Sequence, residues 1–299
     1  MTDFTFVSDE LALPTGAWAK THRRWLRHGD TPVLALSASD FRNYVYPLFS
    51  PAGYLVTSES PADHPHHNSL WIGSDHVHAQ VPVDGGRVEE YTYNFYVNET
   101  FQGRAPGRII ELSCQGGPVS GAAFRIVQDL DWRGPAEWAA PEGRSIAREM
   151  RTLTVTPGAR ATRIDVQSEL RATRWDLHLG PTRHAYFNIR VAESMIVANG
   201  GLIQTDCGAH DACGGAMDVA QWVDFTGPVG GEETAGVTIL PHPLKNRENT
   251  WFVADWGVVT VGPFRARGTM VTRDEPFICG YTVIVHDGPF ESAFVDTDV

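Results

Sequence analysis

Alternation of apolar and polar positions with a period of two runs through most of this chain. In "REMRTLTVTPGARATRIDVQSELRAT", Arg148 to Thr173, two alternating runs flank Pro157-Gly158, and Leu153, Val155, Ile164 and Val166 fall on one face. That spacing predicts an antiparallel hairpin. Similar runs recur in "DLHLGPTRHAYFNIRVAESM", "GVTILPHP", "TWFVADWGVVTVGPF" and "FICGYTVIVHDG", punctuated by Gly, Pro, Asn and Asp. Val, Ile, Thr, Phe, Tyr and Trp fill them, as a half-buried pleated surface requires. Only "PADHPHHNSLWIG" and "GAMDVAQWV" offer short helical alternatives.

The pattern predicts an all-β chain with well under about a fifth of its residues in helix. With 29 glycines and 19 prolines spread evenly, no segment reads as a linker, so residues 1–299 are expected to form a single domain. An antiparallel chain of 299 residues has to close or double its sheets to hide their edges. The expected architecture is a large antiparallel β-sandwich of two sheets.

Charge and composition narrow the partners. A formal net charge of −12 repels phosphate backbones, and the densest basic cluster, Lys20 to Arg27, does not offset it, so nucleic acid is not an expected partner. No apolar run approaches the roughly 20 residues of a membrane helix, and the N-terminal "MTDFTFVSDELALPTG" lacks the basic and apolar regions of a signal peptide. A cytoplasmic location and no membrane partner are therefore expected. Cys114, Cys207, Cys213 and Cys279 match neither a zinc ribbon nor a disulfide framework and read as small core or bystander residues.

The candidate chemistry lies in histidine. Of twelve histidines, five fall between His64 and His78: His64, His66, His67, His76 and His78. Pro65 fixes its own φ and biases His64 away from the helical region, so "DHPHH" is expected to form a turn or strand end rather than a turn of helix. On an extended segment His76 and His78 would share a face. With a third imidazole from the turn, drawn from His64 or His66, they would suit a zinc, copper or iron site. The same imidazoles beside carboxylates would suit general acid–base chemistry without any metal. Asp63, Asp75, Glu89 and Glu90 are the local carboxylates, with Glu193 and Asp255 further along.

Two downstream segments add similar chemistry. "LPHPLKNRENTWFVADWG" sets His242 between prolines, followed by Lys245, Asn246 and Arg247 and by Trp251 and Trp256. Planar apolar faces mixed with directional polar groups suit a sugar, whose ring presents C–H patches and hydroxyls. "GPTRHAYFNIRVAES" offers Arg183, His184, Asn188, Arg190 and Glu193, with His184, Asn188 and Arg190 on one face if extended.

Taken together, "RNYVYPLFSPAGYLVT", "PADHPHHNSLWIG", "FNIRVAESM", "AQWVDFTGPVGG", "GVTILPHPLKNRENTWFVADWGVVTVGPF" and "YTVIVHDG" resemble the bacterial PmoA-like family, over Phe41 to Gly288. The function of that family is not established. Its label borrows from a membrane-bound methane monooxygenase subunit, and without a membrane segment that activity does not carry over. The resemblance implies a fold similar to the galactose-mutarotase-like supersandwich, and a context in sugar catabolism. Asp63, His64, His66, His67, Trp71, Glu193, His242, Asn246, Trp251 and Gly257 match the family's motifs. Asn68, Arg183-His184 and "TDCGAHDACGGAM" depart from them, where Arg, a Lys-Glu pair and an Asn-Ser-Glu-Gly stretch are usual, which implies an altered substrate or acid–base pair.

The expected function is a carbohydrate-active enzyme working by acid–base chemistry on a sugar, glycoside or keto-sugar, as a mutarotase, epimerase or lyase does. His64, His66, His67, His184, Glu193 and His242 are the expected catalytic residues, and Asp63, Trp71, Arg190, Asn246 and Trp251 the expected substrate contacts. His66 and His67, if they shuttle protons, are expected to give an ionisation near neutral pH. No cofactor is required, with a divalent metal on His64, His66, His76 or His78 left open, as is a homo-oligomer. A noncatalytic carbohydrate-binding protein and a His-ligated metal-dependent oxygenase remain as alternatives.

Overall fold

A computed structural model describes residues 3–10, 22–119, 122–209, 220–244 and 248–295. Among them the regular structure is β-strand, with short 3-10 turns and no longer helix. No helix in the described residues is long and apolar enough to cross a membrane.

The described strands form three sheets rather than the expected two. One has eight strands, in the order Phe4–Glu10, His22–His28, Thr31–Ala38, Asn43–Leu48, Leu70–Ser74, Ala185–Arg190, Val258–Gly262 and Thr250–Ala254. A nine-stranded sheet runs from Gly208–Ala209 and Leu202–Thr205 through Val223–Gly230, Glu233–Pro241, Phe277–Asp287, Ala161–Ala172, Ser145–Thr156 and Phe124–Arg133 to Arg108–Pro118. A third, of five strands, is ordered Thr269–Val271, Leu177–Leu179, Val77–Val83, Arg87–Asn94 and Ala105–Pro106. Every pairing is antiparallel except the short contact between the last two of these. The third sheet was hidden in the sequence because its strands come from distant stretches, three of them only two or three residues long.

The hairpin expected around Pro157-Gly158 is present, and pairs Leu153 with Val166 and Val155 with Ile164. All four side chains are buried in one hydrophobic cluster that draws on strands of all three sheets. Alternation also carries polar groups inward. Glu149 and Arg151 lie on the buried face of Ser145–Thr156, four and two residues before Leu153. There Glu149 accepts hydrogen bonds from both Nε and Nη2 of Arg151, at 2.8 and 2.9 Å, from Trp132 Nε1 at 2.9 Å and from Ser168 Oγ at 2.8 Å. A buried carboxylate persists only with such partners.

A second buried network closes the far side of the nine-stranded sheet. Asp224 accepts from Thr226, Thr238 and His286, and its side chain and that of His286 are wholly buried. His286 lies directly on Gly236, where a Cβ would come within 2.3 Å of the imidazole.

The Glu149 network supplies a stability test. Glu149→Ala leaves the Arg151 guanidinium buried and unpaired, and is expected to lower the unfolding free energy by about 3–5 kcal/mol. Arg148→Ala, which breaks a half-exposed pair with Asp129, should cost at most about 1 kcal/mol. Urea unfolding midpoints of the two variants check the contrast.

Candidate functional site

The outer face of the eight-stranded sheet carries a row of cross-strand neighbours. Tyr44 pairs with Trp71, Trp71 with Asn188, Asn188 with Thr260 and Thr260 with Phe252. Side chains alternate across a strand. Phe187 and Ile189 therefore enter the core, while Asn188 and Arg190 face outward with Trp71. The row is polar at its centre, where Thr260 Oγ1 donates to Asn188 Oδ1 at 2.8 Å. Tyr44, Trp71, Tyr96 and Val258 form a buried apolar floor, with Tyr46, Phe252, Ala254 and Trp256 packed on it.

Loops deliver the histidines onto this floor. The segment after Pro61 forms two consecutive tight turns, with His64 N–H donating to the Pro61 carbonyl and His67 N–H to the His64 carbonyl. The turn expected from Pro65 is therefore present. The His64 ring meets two others, parallel to Trp256 at 4.4 Å and near-parallel to His67 at 4.8 Å, and those two are themselves 5.7 Å apart. His66 stands edge-on to His67 at 4.6 Å and reaches Tyr96 at 5.7 Å. Tyr96 in turn meets His184 at 5.1 Å. Arg183 closes the circuit, with its Nε–H donating to His184 Nε2 at 3.3 Å and its guanidinium over Phe252 at 4.8 Å, beside Trp256. Trp256 reaches His64 from a tight turn ending at Gly257, whose φ of +96° and neighbours Val191 and Ile196 admit no side chain.

Carboxylates hold two of these imidazoles by Nδ1. His64 Nδ1–H donates to Asp63 at 2.8 Å, and Asp63 also accepts from Arg190 at 3.0 Å. His184 Nδ1–H donates to Asp75 at 3.0 Å. Asp75 is buried and accepts further hydrogen bonds from Thr182 at 2.6 Å, His76 at 2.7 Å and Arg104 at 3.4 Å. Because each Nδ1 faces a carboxylate, each Nε2 is left as the nitrogen that can accept a proton.

Electrostatics separates the roles. Burial would raise the Asp75 carboxyl, but hydrogen bonds from His184, His76 and Thr182 outweigh it and hold Asp75 well below the usual carboxylate range. Burial also opposes Asp63, which His64 and Arg190 hold below its ordinary value. His66 is lowered to about 4 by burial, reinforced by Arg42, His64 and His184. Burial acts first on His67 too, and the charges of His66, His64, Arg190 and Arg42 push it lower still. Both are thereby held as neutral imidazoles at neutral pH, which runs against the ionisation near neutrality expected of them. Desolvation is the reason.

Buried nitrogens without a hydrogen-bond partner gather here: Nε and Nη1 of both Arg42 and Arg190, His67 Nδ1 and Trp71 Nε1. Such groups are rare in protein interiors and cluster at functional places. Arg42 is held by its Nη2, which donates to the carbonyls of His66 and Tyr96, and burial lowers it to about 9.

The structure thus brings His64, His66, His67, His184, Asp63 and Arg190 together, with Glu193 on the rim 3.5 Å from Arg190. Trp71 is at the site but wholly buried, a floor beneath His67 rather than an exposed sugar contact. Other expectations are corrected. Trp251 is in the core, donating its Nε1–H to the Ala220 carbonyl, because alternation along Thr250–Ala254 turns Phe252 outward instead. His242 packs on Gly280 and lies 3.0 Å from Thr282 in the nine-stranded sheet, with no ring contact or hydrogen bond to the other site histidines. Asn246 lies outside the described residues. His76 and His78 do lie side by side, at 5.8 Å, but His76 is on the crossing, bonded to Asp75, and His78 is in the five-stranded sheet, where it bonds to Thr92 and Glu90. Among the described residues, no three His, Cys, Asp or Glu side chains are arranged to hold a metal ion. Tyr96, Phe252 and Arg42 were not among the expected residues. Only Phe252 had a legible signal, its opposite phase to Trp251.

Comparison with known proteins places the chain. A family model described as "Family of unknown function (DUF6807)" matches residues 25–297. The chain belongs to this family. The match extends on both sides beyond the stretch on which the PmoA-like resemblance rests, and the family brings no activity with it. No curated protein matches the chain. Among solved structures it is similar to a galactose mutarotase-like protein from Lactobacillus casei ATCC 334, at 8% identity and TM-score 0.42, covering 95% of this chain and 100% of that one. It is also similar to the Slr1438 protein from Synechocystis sp. PCC 6803, at 11% identity and TM-score 0.43, covering 92% and 99%. Likeness at this level says nothing about chemistry, and the all-β class stands on the antiparallel sheets described above.

The depressed His66 fixes a pH dependence of stability. Its folded pKa of about 4 lies below the ordinary unfolded value of about 6.5. The unfolded chain therefore binds the proton first, and this stability is complete above the unfolded value and lost as pH falls through the folded one. Unfolding free energies measured across that window should fall with pH, and His66→Asn should flatten the slope.

Proposed function

We propose that the protein is a carbohydrate-active enzyme that moves protons on a sugar, glycoside or keto-sugar. The observation that carries this reading is the pair of carboxylate-held imidazoles, Asp63–His64 and Asp75–His184, set around the neutral His66 on one aromatic floor. Proton transfer at a sugar needs two groups, one to take a proton and one to give it. In ring opening, the base removes the anomeric hydroxyl proton as the acid protonates the ring oxygen. The bond from the anomeric carbon to the ring oxygen breaks, the carbonyl forms, and reclosure reverses each transfer. In elimination next to a keto group, the base takes the acidified C–H proton, the electron pair forms the C=C bond as the C–O bond breaks, and the acid protonates the departing oxygen; in epimerisation the acid instead returns a proton to the opposite face of that carbon.

His184 is the base in this reading, with Nδ1–H anchored on Asp75 and with the Nε2 lone pair, which accepts from Arg183 Nε–H at 3.3 Å, passing to the substrate when a sugar binds. His64 is the opposite partner, anchored on Asp63. Trp256, partly exposed and stacked on His64, offers a flat apolar surface for the C–H face of a ring. Arg190 and Glu193 position Asp63 and the rim. A small-molecule carbohydrate is the proposed partner.

The test is proton or anomer exchange followed by NMR across a panel of aldoses, glycosides and keto-sugars. His184→Gln is expected to lower the exchange rate by about 10²-fold or more, and Asp75→Asn to lower it as well by releasing the imidazole. Binding without turnover would instead support a noncatalytic carbohydrate-binding protein. Failure of every sugar to bind or react would contradict the reading altogether.

A further inference from the structure

The charges around the site do not balance. The chain carries a formal net charge of −12, so an excess of cations in one place is a local feature. Every carboxylate at the site is already committed: Asp63 to His64 and Arg190, Glu193 to Arg190, and Asp75 to its four donors. Arg42 and Arg183 have no carboxylate partner among the described residues. Arg42 is sealed beneath Trp71, whereas Arg183 is exposed.

The way Arg183 is held matters more than its charge. Its guanidinium rests on the Phe252 ring at 4.8 Å, and its Nε–H is engaged with His184 Nε2 at 3.3 Å. A guanidinium fixed by one face and by Nε keeps its Nη1/Nη2 edge, the edge whose parallel N–H groups match two oxygens of one acid group. That edge belongs to the residue next to the proposed base. A neutral sugar has no need of it.

We propose that the site takes an acidic sugar, one bearing a carboxylate or phosphate group, and that Arg183 holds that group beside His184. This inference rests on the reading of the site as a carbohydrate site and adds the class of substrate. Arg183 is a specificity-determining residue in it: the acid group seats on the Nη edge, and the ring to which that group is attached lies toward Trp256 and His64.

Calorimetric titration with matched sugars tests it: glucose, glucuronate and glucose 6-phosphate, with their galacto and manno counterparts, against wild type, Arg183→Gln and Arg183→Lys. In at least one series an acidic member is expected to bind about tenfold or more tightly than its neutral partner, and less so as salt is raised. Arg183→Gln should erase that difference, and Arg183→Lys should restore only part of it. A preference for the uronate over the phosphate, or the reverse, tells which acid group the fork holds. Equal binding of neutral and acidic sugars, or a preference that survives in Arg183→Gln, would overturn the inference and leave the carbohydrate reading standing. Absence of binding by any sugar, neutral or acidic, would overturn both.

Discussion

A single buried carboxylate sets the geometry on which the site depends. Asp75 sits where the chain leaves the eight-stranded sheet after Leu70–Ser74 and enters the five-stranded sheet at Val77–Val83. The chain makes the opposite crossing between Leu177–Leu179 and Ala185–Arg190, through Thr182 and His184. Asp75 accepts from both of those residues as well as from His76 on its own crossing. An ionised group in the interior is tolerable only with such donors. Satisfying Asp75 therefore clamps the two crossings side by side, with Gly180 N–H on the His76 carbonyl as a further tie. The site lies at this clamp because His184 is one of the donors.

The clamp also explains how a loop-built site can be specific about orientation. Loops alone place side chains loosely, whereas a donor locked on a buried carboxylate presents its other nitrogen in one direction. His64 is fixed in a related way, by Asp63 on one edge and by packing in a compact cluster with Trp256 and His67. His66 and His67 lack a carboxylate and are instead held neutral by desolvation. Two kinds of imidazole thus stand in contact, and their environments rather than their spacing in the sequence tell them apart.

Much of the fold was legible in the period of two. Leu153, Val155, Ile164 and Val166 announced both the hairpin and its buried face, because a half-buried strand has to alternate. The third sheet was not legible, since strands as short as Leu177–Leu179 carry too few positions to show a period. At the site, the density of histidines and the turn at Pro65 pointed to His64, His66 and His67, and the outward phase of Arg190 followed from alternation. Trp251 and His242 were misplaced for a physical reason. Residue type suggested a sugar contact, while strand phase and the close approach of Gly280 sent those side chains elsewhere. Tyr96 and the central role of Asp75 depend on contacts between segments far apart in sequence. No local pattern encodes them.

The central claim is that Asp75 fixes His184 with its proton on Nδ1 and its lone pair on Nε2. Long-range proton–nitrogen correlation spectra of histidine-labelled protein, recorded above the ordinary histidine range, read that tautomer directly. Wild type should show a protonated Nδ1 and an unprotonated Nε2 on His184, and Asp75→Asn should lose this fixed state. A His184 protonated on Nε2 in the wild type, or unaffected by Asp75→Asn, would contradict the account.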